Sequence, residues 1–315
     1  MASTTSYRCL LFLLALVTFV FFSAAAVLFY LGKYHDKSPM KVFFNHSVPL
    51  VGYEKYKLDA ITPADWTWWI WAPVFGWQVP WLLYAFIIPC RRQPPKVFTM
   101  PFFIIAAIAF GFIAGWVLLW SKHLVNVAFG FLGGACMCLY ICLALTYHRL
   151  RDTYETTKRF PVCDHIMIQL FLINGLALIS SWATYSVFVH LGIIFHYTSG
   201  VEEHITATMT MAGMSAVIFF WFMLDNFVFQ SYTLYTFTVY PALVVGYTGV
   251  FERWWDYKNS DNNDRNDIFY VVLLGVTALL ALLKILFMIC RTCLRRKRSR
   301  SHVVTADEQY NMNEY

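Results

Sequence analysis

The sequence predicts an all-α integral membrane protein, a polytopic helical bundle with eight transmembrane helices. Of its 315 residues, 59% are hydrophobic and only 13% are charged, whereas soluble domains carry about 25% charged residues. The mean hydropathy is +0.54. Apolar runs of about 20 residues, enough to cross a hydrocarbon layer roughly 30 Å thick, occur eight times along the chain.

The eight apolar runs define the predicted helices. In lipid, every backbone N–H and C=O group needs a partner within the protein, so helices are the expected conformation for such runs. Strands of a membrane barrel would alternate apolar and polar residues, and these runs do not. The predicted helices cover approximately 9–31, 65–89, 98–120, 125–147, 166–190, 205–224, 231–250 and 268–290. They form one transmembrane domain over 1–290, and 291–315 is a basic and then polar tail, expected to have no regular structure.

The first helix has two interpretations. It begins just beyond Arg8, and Ser23 with the three following alanines offers the small residues of a signal-peptide cleavage site. The apolar run continues through Leu31, however, and exceeds the 7 to 15 apolar residues typical of a signal peptide. A retained helix is therefore expected, and cleavage would leave seven helices with the other orientations unchanged.

Lysine and arginine set the predicted orientation. Basic residues follow the second, fourth and eighth helices, and such segments remain in the cytoplasm. They are Arg91, Arg92, Lys96, Arg149, Arg151, Lys158, Arg159 and the run 291–300. Both termini are then cytoplasmic, in a membrane of the secretory pathway or the plasma membrane. The opposite side holds the sequon Asn45-His46-Ser47, which predicts glycosylation of Asn45.

Cysteine placement agrees with this topology. All eight cysteines fall in the fourth helix or at predicted cytoplasmic positions, so no disulfide is expected. Four of them lie where reversible palmitoylation occurs, and unmodified thiols are the alternative. These four are Cys9, Cys90, Cys290 and Cys293. The trio Cys136, Cys138 and Cys142 lacks a fourth ligand for zinc, so no metal site is predicted.

Several function classes are disfavoured. The net charge of +6 comes from clusters beside apolar runs, which indicates topology rather than nucleic-acid binding. No Ser/His pair or pair of carboxylates stands out, so enzymatic activity is the least favoured class. Ionisable residues inside spans are functional candidates. Of these, Lys284 is expected to extend its amine towards the cytoplasmic interface, and Asp225 to reach that interface at the end of the sixth helix.

Small residues predict where helices pack closely. Gly111 and Gly115 in the third helix, and Gly130 and Gly134 in the fourth, each form a small-xxx-small pattern. Thr206, Thr210 and Gly213 give the sixth helix a similar stripe. These positions are expected to form helix-helix seams. The same motifs could also join copies of the chain into a homo-oligomer.

The second helix is unusually rich in tryptophan. Trp66 lies in its first turns, where an interfacial aromatic belt is expected. Trp71 and Trp77 are deeper and are accompanied by Gln78, which predicts an aromatic wall with a polar anchor, as a planar apolar ligand requires. Two prolines, at 73 and 80, would bend the helix, either to open a concave pocket or merely to pack a kink.

This helix resembles a known family. The stretch Thr62–Trp71 resembles the Pro-x-x-Trp-(aromatic)-(aromatic)-x-x-Trp signature of the tryptophan-rich sensory protein/translocator family. More weakly, 169–174 with Trp182 resembles its Gln-Leu-x-Leu-Asn…Trp helix, and Tyr240-Pro241 its Pro-Tyr helix. The family has about five helices in a chain of about half this length. The whole chain is also similar to animal multipass proteins that have a Thr-Pro-Ala-x-Trp-Thr opening and no assigned activity.

The resemblance implies binding of a tetrapyrrole or sterol-like ligand. The implied site contains Trp66, Trp71, Asn174 and Trp182, to which the aromatic-wall argument adds Trp77 and Gln78. The leading hypothesis is therefore a sensor or carrier that contacts the lipid bilayer and binds a planar hydrophobic molecule. A secondary transporter of a small solute is the first alternative, and a seven-helix receptor after signal cleavage is the second.

Overall fold

The computed structural model describes residues 4–33, 56, 58, 61–91, 95–156, 161–257 and 265–312. Within these ranges the secondary structure is helical without strands, which confirms the all-α polytopic fold class. The predicted glycosylation site Asn45 lies outside them. Seven helical stretches are long and apolar enough to cross a membrane. They are Thr5–Gly32, Asp65–Cys90, Met100–Ser121, Val125–Arg151, Val162–Tyr197, Glu203–Val228 and Ile268–Leu294.

The described residues form ten α-helices, two 3₁₀ helices and two π-helices. The α-helices are α1 (Thr4–Lys33), α2 (Trp71–Ile87), α3 (Met100–Ser121), α4 (Val125–Thr156), α5 (Val162–Ile166), α6 (Asn174–Tyr197), α7 (Glu203–Met223), α8 (Gln230–Thr233), α9 (Val239–Tyr257) and α10 (Arg265–Met312). The 3₁₀ helices Asp65–Ile70 and Ile88–Cys90 extend α2 at both ends. The π-helix Met167–Ile173 joins α5 to α6, and the π-helix Leu224–Val228 extends α7. The tail, expected to lack regular structure, has helical backbone as far as Met312.

The seventh predicted helix is interrupted. It was expected over 231–250, but α8 ends at Thr233 and α9 begins only at Val239. Pro241 occupies the first turn of α9, where the missing N–H of proline removes no helical hydrogen bond. Serine and threonine before it favour local hydrogen bonds over continued helix. Helix α9 is therefore an eighth helix of the bundle, outside the set of seven long apolar spans.

Helix α1 packs against α3 through polar and aromatic contacts. The Thr18 hydroxyl donates a hydrogen bond to the Phe103 carbonyl at 3.0 Å. The rings of Phe22 and Phe110 meet edge to face with centroids 5.3 Å apart. These contacts join α1 to α3.

Two glycines form the seam between α3 and α4. A Cβ at Gly115 would lie 2.5 Å from the Phe131 ring, and a Cβ at Gly134 would lie 3.1 Å from the Phe112 ring. Each glycine thus receives a phenylalanine from the other helix, and the two rings meet edge to face at 5.4 Å. Small residues at such positions let helices approach closely in the membrane, so these glycines act within the chain.

Helix α6 lies at the centre of the bundle. The Gln78 side chain on α2 donates to its Gly175 carbonyl at 2.9 Å. The Trp116 indole on α3 donates to His190 at 3.1 Å. On a further side, the Tyr185 hydroxyl donates to a carbonyl of α9 at 3.2 Å. Polar groups of this central helix are therefore satisfied by its neighbours, as the absence of water in a bilayer requires.

A charged cluster fastens the end of α2 to α5. The buried Asp164 carboxylate accepts a hydrogen bond from the Tyr84 hydroxyl at 2.6 Å and forms an ion pair with Arg91. The hydrogen bond to Asp164 raises the pKa of the Arg91 guanidinium further above its ordinary value. One of the basic residues that set the predicted topology thus has a structural partner as well.

All eight cysteines lie in the described residues and are free thiols. The four palmitoylation candidates are exposed on the protein surface, as is Cys163. Cys136 and Cys142 are buried within α4. The Cys136 thiol contacts the Thr184 hydroxyl at 3.3 Å, which gives this residue a packing role between α4 and α6.

Candidate functional site

The deep tryptophans form an aromatic core. Trp71 and Trp182 are both fully buried, with ring centroids 6.4 Å apart in a T-shaped contact. Trp71 also stacks on Phe75 at 5.4 Å and meets Trp116 at 5.5 Å, while Trp182 stacks on Tyr185 at 5.0 Å. The predicted pair Trp71 and Trp182 is therefore brought together, but their faces are covered by other rings.

Trp66 and Trp77 lie apart from that core. Trp66 is 41% exposed, and its indole donates a hydrogen bond to Glu252. The Trp77 indole donates to the Leu170 carbonyl at 2.9 Å, across to the π-helix before α6. Trp71 and Trp77 thus have different neighbours and form no common wall.

The Gln78 amide is fully buried and committed within the protein. Its nitrogen donates to the carbonyls of Val74 and Gly175, both at 2.9 Å. Its oxygen accepts a hydrogen bond from the Trp81 indole at 2.8 Å. Both amide hydrogens are used, so Gln78 joins α2 to α6 and has no donor left for a ligand.

Asn174 holds the irregular segment that precedes α9. Its amide nitrogen donates to the carbonyls of Gln169 at 2.8 Å and Tyr235 at 2.9 Å. Its side-chain oxygen accepts from the Phe237 N–H at 2.9 Å, and its carbonyl accepts from the Thr238 hydroxyl at 2.7 Å. Because non-helical backbone at membrane depth needs such partners, Asn174 serves as a latch for the segment 234–238.

An ion pair lies on the other side of this segment. The Lys284 amine is 2.6 Å from Asp225 Oδ1 and donates also to the Thr233 carbonyl at 2.9 Å. Lys284 and Asp225 are each only 2% exposed. The expectation that these two side chains reach the membrane interface is therefore wrong. The chain turns back into the bundle after Asp225, so the carboxylate is covered and the lysine, about 15 Å inside its span, bonds to it.

A cavity of about 310 Å³ adjoins the ion pair, between α4 and α7. We call it the α4–α7 cavity. Its wall contains five aromatic rings, three polar side chains and three aliphatic ones. They are Tyr140, Tyr147, Trp221, Phe229 and Tyr232, then His148, Asp225 and Thr233, then Leu143, Ala144 and Leu224. A largely apolar wall with a few polar groups is typical of small-molecule sites.

A second, smaller cavity lies between α6, α7 and α9. Its volume is about 20 Å³, enough for about one water molecule. Tyr240 and Tyr247 line it, and neither hydroxyl makes a well-formed hydrogen bond within the described residues. Tyr140 and Trp221 line both cavities, so the two cavities are neighbours.

Asp225 has spare hydrogen-bonding capacity. Its Oδ2 atom is buried and without a hydrogen-bond partner, while Oδ1 is bound to Lys284. The Tyr240 hydroxyl interacts with this carboxylate through charge and hydrogen bonding, although no well-formed hydrogen bond reaches Oδ2. Buried polar atoms are nearly always paired in proteins. Oδ2 is therefore a candidate acceptor for a ligand in the cavity that Asp225 lines.

None of the six predicted ligand residues lines either of these two cavities. The sequence did contain a signal for the cavity, because ionisable residues within apolar spans are functional candidates by default. Asp225 and Lys284 met that criterion, but their sequence separation of 59 residues hid the fact that they are partners. The aromatic residues of the cavity come from α4, from the end of α7 and from α8 with the residue before it, where no motif marks them.

Comparisons with known proteins add no assignment: no family model, no curated protein and no solved structure matches the chain. The resemblance to the tryptophan-rich sensory protein/translocator family stays a prediction. Within the described residues, no group of three His, Cys, Asp or Glu side chains could hold a metal ion. The functional argument therefore depends on the α4–α7 cavity and its polar end.

Proposed function

We propose that this multipass membrane protein binds a small, flat or elongated hydrophobic molecule in the α4–α7 cavity and acts as its sensor or carrier. The ligand class is that expected from the sequence, for which sterols and tetrapyrroles are the model compounds. The proposed binding site differs from the one expected from the sequence, because the tryptophans of α2 do not line the cavity.

The cavity itself carries this proposal. A volume of about 310 Å³ falls at the lower end of the range of roughly 300 to 1,000 Å³ typical of ligand sites. Five aromatic side chains in the wall offer flat surfaces to a ring system. At the tryptophan core, in contrast, a ligand would have to displace rings that already contact one another.

A pair of alanine variants tests the cavity. Ala144 lines it, so Ala144→Phe would occupy part of its volume. Ala216 on α7 is exposed on the surface and lines neither of the two cavities, so Ala216→Phe is the matched control. Purified wild-type and variant proteins would be titrated with pyrene, tritiated cholesterol and protoporphyrin IX, with empty micelles subtracted.

We expect at least one of these probes to bind saturably to the wild type. Ala144→Phe should weaken that binding by about tenfold, the equivalent of roughly 1.4 kcal/mol of lost contact, whereas Ala216→Phe should leave it unchanged. Absence of saturable binding for all three probes, or equal binding by the two variants, would contradict the proposal.

A transporter is the second candidate, favoured by one observation. The chain between α7 and α9 is interrupted beside the buried Asp225–Lys284 pair. Discontinuous helices that meet buried charges near the middle of the membrane are typical of secondary transporters. Reconstituted vesicles loaded with the bound probe distinguish the two functions. A transporter accelerates saturable exchange across the bilayer, and a sensor does not.

A further inference from the structure

We infer that the ligand of the α4–α7 cavity carries a cationic nitrogen, either a protonated amine or a quaternary ammonium group, bound by Asp225 and the surrounding aromatic rings. This inference rests on the proposed function and adds the chemical class of the ligand. Three features of the cavity carry it: the charge of its wall, the unpaired carboxylate oxygen and the aromatic faces.

The charge of the wall favours a cation. Among the residues that line the cavity, Asp225 is the one with a carboxylate, and no lysine or arginine is present. Lys284 contacts the carboxylate but is not part of the wall. The wall itself therefore presents a carboxylate to a ligand, while the amine that balances its charge lies outside the wall.

The acceptor atoms for a cation are present. Asp225 Oδ1 and the Thr233 carbonyl already bind one ammonium group, that of Lys284. The second carboxylate oxygen, Oδ2, is buried without a partner, and an ionised carboxylate can accept about four hydrogen bonds. The Tyr240 hydroxyl interacts with the carboxylate and adds an oxygen near it. Oδ2 has almost no exposed surface, so a second ammonium group would bind it after a small movement of the side chains around it.

Aromatic faces complete the recognition of a cation. Tyr140, Tyr147 and Trp221 line the cavity together with the rings of Phe229 and Tyr232. Cations are attracted to the faces of such rings, and cages of aromatic side chains are the usual binding sites of quaternary ammonium groups. The chain already contains one example at this wall. The guanidinium of Arg151 lies over the Tyr232 ring at 5.8 Å from its centroid.

Charges that oppose the ligand also surround Asp225. Lys284 and Arg291 of α10 are positive, and His148 of α4 lines the cavity. A bound ammonium group and the Lys284 amine would therefore both be attracted to the Asp225 carboxylate, and each would weaken the binding of the other. Removal of the lysine charge should strengthen cation binding, and removal of both charges of the pair should abolish the preference for a cation.

Three pyrene derivatives test the inference, because they share one flat ring system and differ in charge. They are 1-pyrenemethylamine, 1-pyrenemethanol and 1-pyrenecarboxylate. Energy transfer from tryptophan to pyrene would report binding to the full-length protein in detergent, with empty micelles subtracted. Wild type would be compared with Lys284→Met, with the double variant Asp225→Asn/Lys284→Met, and with the surface control Ala216→Phe.

We expect wild type to bind the amine about tenfold more tightly than the alcohol, the scale of a desolvated cation–aromatic contact, and to bind the carboxylate most weakly. Lys284→Met should increase the preference for the amine. The double variant, which leaves no unpaired charge and keeps the fold testable if Lys284→Met unfolds, should bind amine and alcohol equally. Ala216→Phe, outside the cavity, should retain the wild-type preference.

The remaining outcomes separate the two proposals. Equal binding of the three compounds by wild type would overturn the inference, as would tightest binding of the carboxylate. It would also be overturned by an amine preference that survives in the double variant or is lost in Ala216→Phe. A hydrophobic binding site would still stand in those cases. Absence of saturable binding for every compound would instead overturn the proposed function.

Discussion

Lys284 and Asp225 form a buried ion pair, with 2.6 Å between the amine nitrogen and Oδ1, that joins α10 to the end of α7. Such a pair stabilises a protein little relative to well-packed apolar residues, but removal of one partner leaves the other charge buried and uncompensated. Variants that remove one charge should therefore be less stable than variants that remove both.

Single and double substitutions of this pair should differ in how much they destabilise the protein. We expect Asp225→Asn alone to lower the free energy of unfolding by about 3 to 5 kcal/mol, because Lys284 is left charged and buried. The double variant Asp225→Asn/Lys284→Met should recover most of that loss. Thermal unfolding of the purified proteins measures both. A double variant less stable than the single one would show that the pair contributes net stabilisation.

The Asn174 latch predicts a local effect. Asn174→Leu removes three side-chain hydrogen bonds and leaves backbone groups at 235 and 237 unpaired, at a cost of about 1 to 3 kcal/mol each. Hydrogen exchange should therefore accelerate in peptides that cover 234–238. Ser181→Ala is the control, since the Ser181 hydroxyl bonds only within its own helix. Unchanged exchange in Asn174→Leu would contradict the latch.

The α3–α4 seam predicts opposite effects for two glycines. Gly115→Ala places a methyl group 2.5 Å from the Phe131 ring, so overpacking should cost about 1 to 3 kcal/mol. Gly130→Ala meets no atom within 4 Å and should be neutral or stabilising, because alanine is the better helix former. The two unfolding midpoints provide the measurement, and equal midpoints would argue against the seam.

Trp71 should behave as a core residue. It is fully buried among four rings, so Trp71→Ala should lower the free energy of unfolding by about 3 to 5 kcal/mol. Trp66→Phe, at an exposed position, should change it by less than about 1 kcal/mol, the usual worth of one hydrogen bond. If Trp71→Ala instead folded stably and lost ligand, the tryptophan site expected from the sequence would be restored.

The topology predicts both termini in the cytoplasm, from the positions of lysine and arginine. In right-side-out vesicles, a C-terminal epitope should resist added protease until detergent is present. Asn45→Gln should abolish the increase in gel mobility that a glycosidase causes in the wild type. Digestion of the epitope in intact vesicles would reverse the predicted orientation.

Hydropathy was sufficient for most of the fold. Seven of the eight predicted helices match long apolar helices, because burial in lipid forces each apolar run to satisfy its own backbone. The helix predicted over 231–250 begins later than expected, at Val239. Its start could not be predicted because it depends on tertiary hydrogen bonds. Asn174 and Lys284 bond to the backbone of 233–237, and no local pattern encodes partners so distant.

The candidate site was largely beyond sequence reasoning. Trp71 and Gln78 were expected to lie deep in the second helix, and both are fully buried. Their partners could not be inferred, because whether a buried indole faces a ring or an empty space is decided by packing between helices. For Lys284, the rule that long basic side chains extend to the interface failed because a carboxylate lay within reach.

The 59 residues between Asp225 and Lys284 also impose an order on biogenesis. At the roughly 5 to 20 residues per second of synthesis, the carboxylate emerges from the ribosome about 3 to 12 s before its lysine. During that interval the end of α7 has no charge partner. The carboxylate at the end of α7 therefore gains its charge partner only after α10 has been synthesised.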